Sequence, residues 1–70
     1  MKLENLKTTR KQKKLTRKEL GELSGLNPSV INALENGYVD DIKLSTLIKL
    51  AVALKTKVRY LLPNDLKDKM

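Results

Sequence analysis

The stretch from Thr16 to Gly37, TRKELGELSGLNPSVINALENG, constrains this chain most, because it holds two sets of helix-start signals with room for only a tight turn between them. Thr16 is followed three residues later by Glu19, the spacing of a capping box, and Leu15 stands five positions before Leu20, the spacing of a hydrophobic staple. Asn27 then precedes Pro28, a side-chain cap followed by the residue that best suits the first helical position, and Leu26 can staple against Ile31. Between the two starts lies Ser24-Gly25-Leu26, where Gly25 can take the positive φ that ends the first helix. The stretch reads as helix, turn, helix.

At about 100° per residue, the second of these helices places Ile31 and Leu34 on one side, with Leu26 leading in. Ser29, Asn32, Ala33 and Asn36 point the other way. That outer face has no charge, no long side chain and no bulky apolar group, whereas a merely solvated face usually carries Lys and Glu. A partner is expected to lie against it. With small Gly21 in the first helix, Gly25 in the turn, Ile31 and Leu34 inside and Glu35-Asn36-Gly37 closing, the segment resembles the helix-turn-helix of the lambda repressor-like family, of the XRE or Cro type. The resemblance runs over about residues 3 to 62 and is most specific from Leu20 to Gly37. It implies a compact all-α domain of five helices, with the helix-turn-helix formed by helices 2 and 3.

Seventy residues make one small domain, here expected over 1–63 with a tail at 64–70, and two tyrosines as the only aromatics require an aliphatic core. No apolar run approaches the roughly 20 residues that span a bilayer, and no signal-peptide apolar region opens the chain, so a cytoplasmic protein is expected. Without Cys or His there is no disulfide, no usual zinc site, no thiol nucleophile and no imidazole base. Three glutamates on helices form no recognisable acid–base pair, so neither an enzyme nor a cofactor is expected, and no small-molecule ligand is evident.

The net charge of +7 is unevenly spread. Residues 1–18 hold eight Lys or Arg against one Glu, residues 19–36 hold three Glu and no base, and residues 37–70 hold seven bases against four acids. A basic end beside a neutral helix face suits a polyanion with a readable surface, since cations release counterions from phosphates while uncharged side chains meet base edges. The competing reading is that Lys only solubilises a small domain.

Along the chain, Leu3, Leu6 and Arg10 share a stripe that predicts a first helix over residues 3 to about 13, with Lys11, Lys13 and Lys14 at its negative end. Gly21 inside the second helix costs roughly 1 kcal/mol relative to Ala. The resemblance supplies a reason: helices cross closely there, and a side chain beyond Ala would displace the recognition helix. It also implies that Arg10 and Glu35 form a partly buried, structural ion pair. Ser45 is a candidate cap for a fourth helix over 46 to about 54, carried by Leu47, Leu50, Ala51 and Leu54. Val58, Leu61 and Leu62 read as a short fifth helix stopped by Pro63. Three departures from the family stand out. Asp40 and Asp41 occupy a loop where Lys or Arg usually grips the backbone, Lys55 replaces a common Gly, and Lys57 replaces a common capping Ser.

The DNA-binding residues implied by the resemblance are Arg17, Asn27, Pro28, Ser29, Asn32, Ala33 and Asn36. Arg17 stands at a helix N-terminus, which attracts phosphate, and where the family usually has Gln. Asn36 is a second phosphate candidate. Family members usually carry Gln, Arg or Lys at the positions of Pro28, Ser29 and Ala33; here only Asn32 has the paired donor and acceptor that fit adenine. The expected partner is double-stranded DNA, bound by a homodimeric regulator, with Tyr60, Leu62 and Leu66 either forming the dimer contact or completing the monomer core. The alternative is a protein-interaction module of the same fold, antitoxin-like or an adaptor, because fold alone does not settle function.

Overall fold

The computed structural model describes residues 2–63. The described residues form five helices and no strand: α1 (Glu4–Gln12), α2 (Arg17–Ser24), α3 (Pro28–Asn36), α4 (Leu44–Leu54) and α5 (Val58–Leu61). The all-α, five-helix architecture expected from the sequence is the one observed.

The capping signals act as their chemistry requires. The Thr16 hydroxyl accepts from the Glu19 N–H at 3.1 Å while a Glu19 carboxylate oxygen accepts from the Thr16 N–H at 3.0 Å, so two otherwise orphaned donors are satisfied. Asn27 Oδ1 accepts from the Ser29 N–H at 2.9 Å, and Pro28 takes the first helical position. The fourth helix begins two residues earlier than Ser45 suggests. Its cap is Lys43, which makes no side-chain capping bond, because Leu44 is already helical.

Four helices end in the same way. Lys14, Gly25, Gly37 and Lys55 take left-handed backbone at φ of 58, 76, 78 and 55°. The N–H of the following residue then reaches back five positions, Leu15 to Arg10, Leu26 to Gly21, Tyr38 to Ala33 and Thr56 to Ala51, at 2.9 to 3.1 Å. These are Schellman closures, which satisfy the last carbonyls and turn the chain toward the core. Glycine meets the requirement freely at two of them, whereas the lysines accept a strain on the order of 1 kcal/mol each.

The core is aliphatic, as the composition demands. Leu3, Leu6, Leu20, Ile31, Leu34, Leu47, Leu50, Ala51, Leu54, Leu61 and Leu62 are buried together, while Tyr38 and Tyr60 lie at the surface. Each fully buried leucine contributes roughly 2 kcal/mol of transfer free energy. Two cross-links fix the ends of the bundle: the Leu3 N–H donates to the Leu34 carbonyl at 3.0 Å, and Asn5 Nδ2 donates to the Tyr60 carbonyl at 2.8 Å.

The reason for Gly21 is now geometric. A Cβ built there would stand 2.6 Å from the Leu26 carbonyl oxygen and 3.3 Å from Pro28 Cδ and Cγ. The limit is therefore tighter than the sequence suggests, because even the methyl of Ala meets main chain. Gly21 lets α2 lie directly against the turn that launches α3.

Candidate nucleic-acid interface

The outward face of α3 is built from its N-terminus upward. Ile31, Leu34 and Glu35 are buried and set the rotation of the helix. Asn27, Pro28, Ser29 and Asn36 are then exposed, and Asn32 and Ala33 are half-buried at the edges of the same surface. Ser29 Oγ donates to Asn27 Oδ1 at 2.8 Å, so the Ser29 oxygen faces outward as an acceptor and the Asn27 amide as a donor.

Asn36 and Asn32 form one unit. Asn36 Nδ2 donates to the Asn32 carbonyl and to Asn32 Oδ1, each at 2.8 Å. A carbonyl can only accept, which fixes the nitrogen of Asn36 on that side. Both Asn36 amide hydrogens are thereby committed within the helix, while the Asn32 amide keeps its own two donors and one oxygen lone pair. Of the two, Asn32 is equipped to meet a base edge and Asn36 holds it.

Arg17 lies where α2 begins, yet its Nε is committed: it donates to Glu35 Oε1 at 3.0 Å. On the other side of the same carboxylate Arg10 donates through Nε at 2.7 Å and through Nη2 at 3.3 Å, and Arg10 Nη1 closes onto the Leu15 carbonyl at 2.8 Å. Glu35 is fully buried, so the expected Arg10–Glu35 pair is present and is a three-membered cluster tying α1, α2 and α3 together. One carboxylate between two guanidiniums leaves an excess positive charge. It emerges at Arg17, whose side chain is 38% exposed and whose Nη groups have no protein partner among the described residues.

Two features escaped the sequence reading. Val30, 40% exposed on the flank of α3, adds an apolar contact fit for a thymine methyl; its wheel position between the inner and outer faces is the signal. The Arg17–Glu35 contact has no local signal, because it depends on how α2 and α3 pack. Of the three residues considered for a C-terminal contact, Leu62 belongs to the core, Tyr60 is exposed, and Leu66 lies outside the described residues. Asp40 and Asp41 are both exposed, and the Asp41 carboxylate accepts from the Ile42 N–H at 2.8 Å.

No helix among the described residues is long and apolar enough to cross a membrane. Neither the curated proteins nor the solved structures compared with the chain give a match. The model of the helix-turn-helix family HTH_3, the XRE or lambda repressor-like type, matches residues 6–61, from within α1 to the end of α5. The match spans all of α2, the turn, α3, α4 and α5, and the chain belongs to this family of DNA-binding helix-turn-helix regulators.

Proposed function

We propose that the protein binds double-stranded DNA sequence-specifically, with α3 in the major groove, and acts as a transcriptional repressor, as a homodimer on a two-fold operator. The observation that carries this reading is the outer face of α3: short, uncharged and bearing at Asn32 an amide oriented by Asn36, whose own two amide hydrogens are both committed to it. Asn32 reads adenine through its free amide hydrogens and remaining lone pair, while Ser29, Ala33 and Val30 permit close approach and favour thymine methyls. Arg17 holds a phosphate at the groove edge through its Nη groups, with Nε anchored on Glu35 so that little rotamer freedom is lost on binding. Asn27 and Pro28 set the start of α3 against the backbone. With few base contacts available, phosphates and DNA shape supply much of the affinity.

The test is selection of bound duplexes from a random pool, followed by salt titration on the selected site. Asn32→Ala is expected to cost about 1 to 3 kcal/mol on that site, relaxing preference at one A·T pair and sparing random duplexes. Asn36→Ala is expected to lower discrimination more than total affinity, because the amide it orients is still present. Arg17→Ala weakens all duplexes alike and lowers the salt slope by about 1. Equal losses on selected and random DNA for Asn32→Ala would place base reading elsewhere. A flat salt response would favour a protein partner for this face instead.

A further inference from the structure

Between Lys18 and Lys43 the chain carries five acids, Glu19, Glu22, Glu35, Asp40 and Asp41, and no Lys or Arg. All of α3 lies in that span. A helix that enters a groove walled by phosphates therefore has to draw positive charge from other segments. Arg17, held on Glu35, is one source. The carboxyl end of α3 needs another, because the negative end of the helix dipole is followed within four residues of Gly37 by Asp40 and Asp41, both exposed.

The fold brings one cation to that end. The Leu3 N–H donates to the Leu34 carbonyl at 3.0 Å, so the segment before α1 runs beside the last turn of α3. Lys2 then lies over Gly37: a Cβ built on Gly37 would stand 3.3 Å from Lys2 Cβ and 3.8 Å from its Cα and Cγ. Gly37 thus acts twice, taking the left-handed backbone at φ 78° and leaving a seat for Lys2. Lys2 is exposed and makes no ion pair among the described residues. A cation at a helix carboxyl end can serve the helix itself or meet an external anion. Here the carbonyl of Ala33 already accepts from the Gly37 and Tyr38 N–H groups, and that of Leu34 from Leu3. The Lys2 ammonium bonds to neither, and it is left to an anion outside the domain.

We infer that Lys2, seated on Gly37, is a contact for a DNA backbone phosphate at the carboxyl end of α3. The inference rests on the DNA-binding reading and adds a site residue to it, one that lies more than thirty positions from α3 in the sequence. Lysine meets phosphate as a point charge on a flexible stem, so the contact needs no fixed geometry beyond the seat of its main chain. It offsets Asp40 and Asp41 where the backbone approaches α3. Such a contact fixes how the helix sits on the duplex and carries no base preference.

The experiment is a salt titration of the full chain on its selected duplex and on a random one. Lys2→Gln keeps the length of the side chain and removes its charge. It is expected to weaken both duplexes alike and to lower the slope of log affinity against log salt by about 1, whereas Lys2→Arg keeps the slope. Lys49→Gln, on exposed α4, is the control for total charge and leaves the slope unchanged. The chain has no cysteine, so Lys2→Cys takes a single iron–EDTA group, which is expected to cut the DNA backbone beside the half-site; the same group on Lys49→Cys gives no such cuts. A steep salt response that Lys2→Gln does not alter overturns the inference and leaves the DNA reading standing. So does a lower urea midpoint for Lys2→Gln with an unchanged slope, which would assign Lys2 to the helix end alone. An equal fall in slope for Lys49→Gln, or no directed cutting from position 2, also overturns it. A flat salt response of the unmodified chain removes the DNA reading, and the inference with it.

Discussion

At the scale of single residues, the domain is decided by atoms with no room and by atoms with no partner. The Thr9 hydroxyl is buried and makes no hydrogen bond among the described residues. Burying a hydroxyl unsatisfied costs roughly 1 to 3 kcal/mol, and valine has the same shape without the polar atom. Thr9→Val is therefore expected to raise stability by about 1 kcal/mol, read as a higher urea midpoint at constant slope; an unchanged midpoint would mean that the hydroxyl is hydrated. Gly21 is the opposite case. Ala is the better helix former by roughly 1 kcal/mol, but its methyl would press on the Leu26 carbonyl, and a main-chain contact of that length cannot relax cheaply. Overpacking costs about 1 to 3 kcal/mol. Gly21→Ala is expected to lose on balance, with lower stability and weaker DNA binding together, because the yielding atoms belong to the turn that aims α3. A stabilised variant with unchanged binding would refute that close approach.

At the scale of elements, what the sequence discloses depends on how local the cause is. Capping at Thr16 and Asn27 was legible because donor, acceptor and spacing lie within three residues. The closures at Gly25 and Gly37 were legible because glycine advertises positive φ; those at Lys14 and Lys55 were not, because a lysine in that conformation is set by the tertiary path and not by its own preference. Likewise the uncharged face of α3 follows from the wheel, and the i, i+4 spacing brings Asn32 and Asn36 together though the rotamer decides which donates, whereas the Arg17–Glu35 pair depends on helix packing that no local spacing encodes. The capping box also carries a pH signature. Bonds from the Thr16 N–H, and then from its hydroxyl, hold the Glu19 carboxyl below its ordinary value of 4.5. A depressed carboxyl stabilises the fold above the unfolded-state value and loses that contribution as pH falls through the folded one. Glu19→Gln is thus expected to lower stability at neutral pH and to flatten the acid limb below about pH 4.5, so that the two proteins converge at low pH. The same acid limb in both proteins would exclude Glu19 as its source.

At the scale of the whole molecule, three helices converge on one buried carboxylate, and that junction both holds the fold and positions Arg17, the proposed phosphate contact. Glu35 has no exposed side-chain surface, Arg10 is nearly as buried, and Arg17 reaches solvent. The three partners are therefore not equivalent. Glu35→Gln leaves the Arg10 guanidinium in the interior without a counter-charge, a loss of about 3 to 5 kcal/mol, which is a large share of the stability of a domain this small. Arg17→Ala leaves Glu35 still bonded to Arg10 and removes only a partly solvated contact, which is worth about 1 kcal/mol or less. Replacing the buried pair together, as Arg10→Met with Glu35→Leu, removes both charges at once and is expected to recover most of what Glu35→Gln loses. It also frees Arg17 from its anchor. In that double variant the Arg17 charge persists but its position does not, so phosphate binding keeps its salt slope while affinity falls through the cost of ordering a loose side chain. Urea denaturation of the variants and salt titration of the double variant read the two effects separately. Equal destabilisation by Glu35→Gln and Arg17→Ala would show that the carboxylate is not the centre of the junction. An unchanged affinity in the double variant would show that Arg17 does not depend on Glu35 to meet DNA.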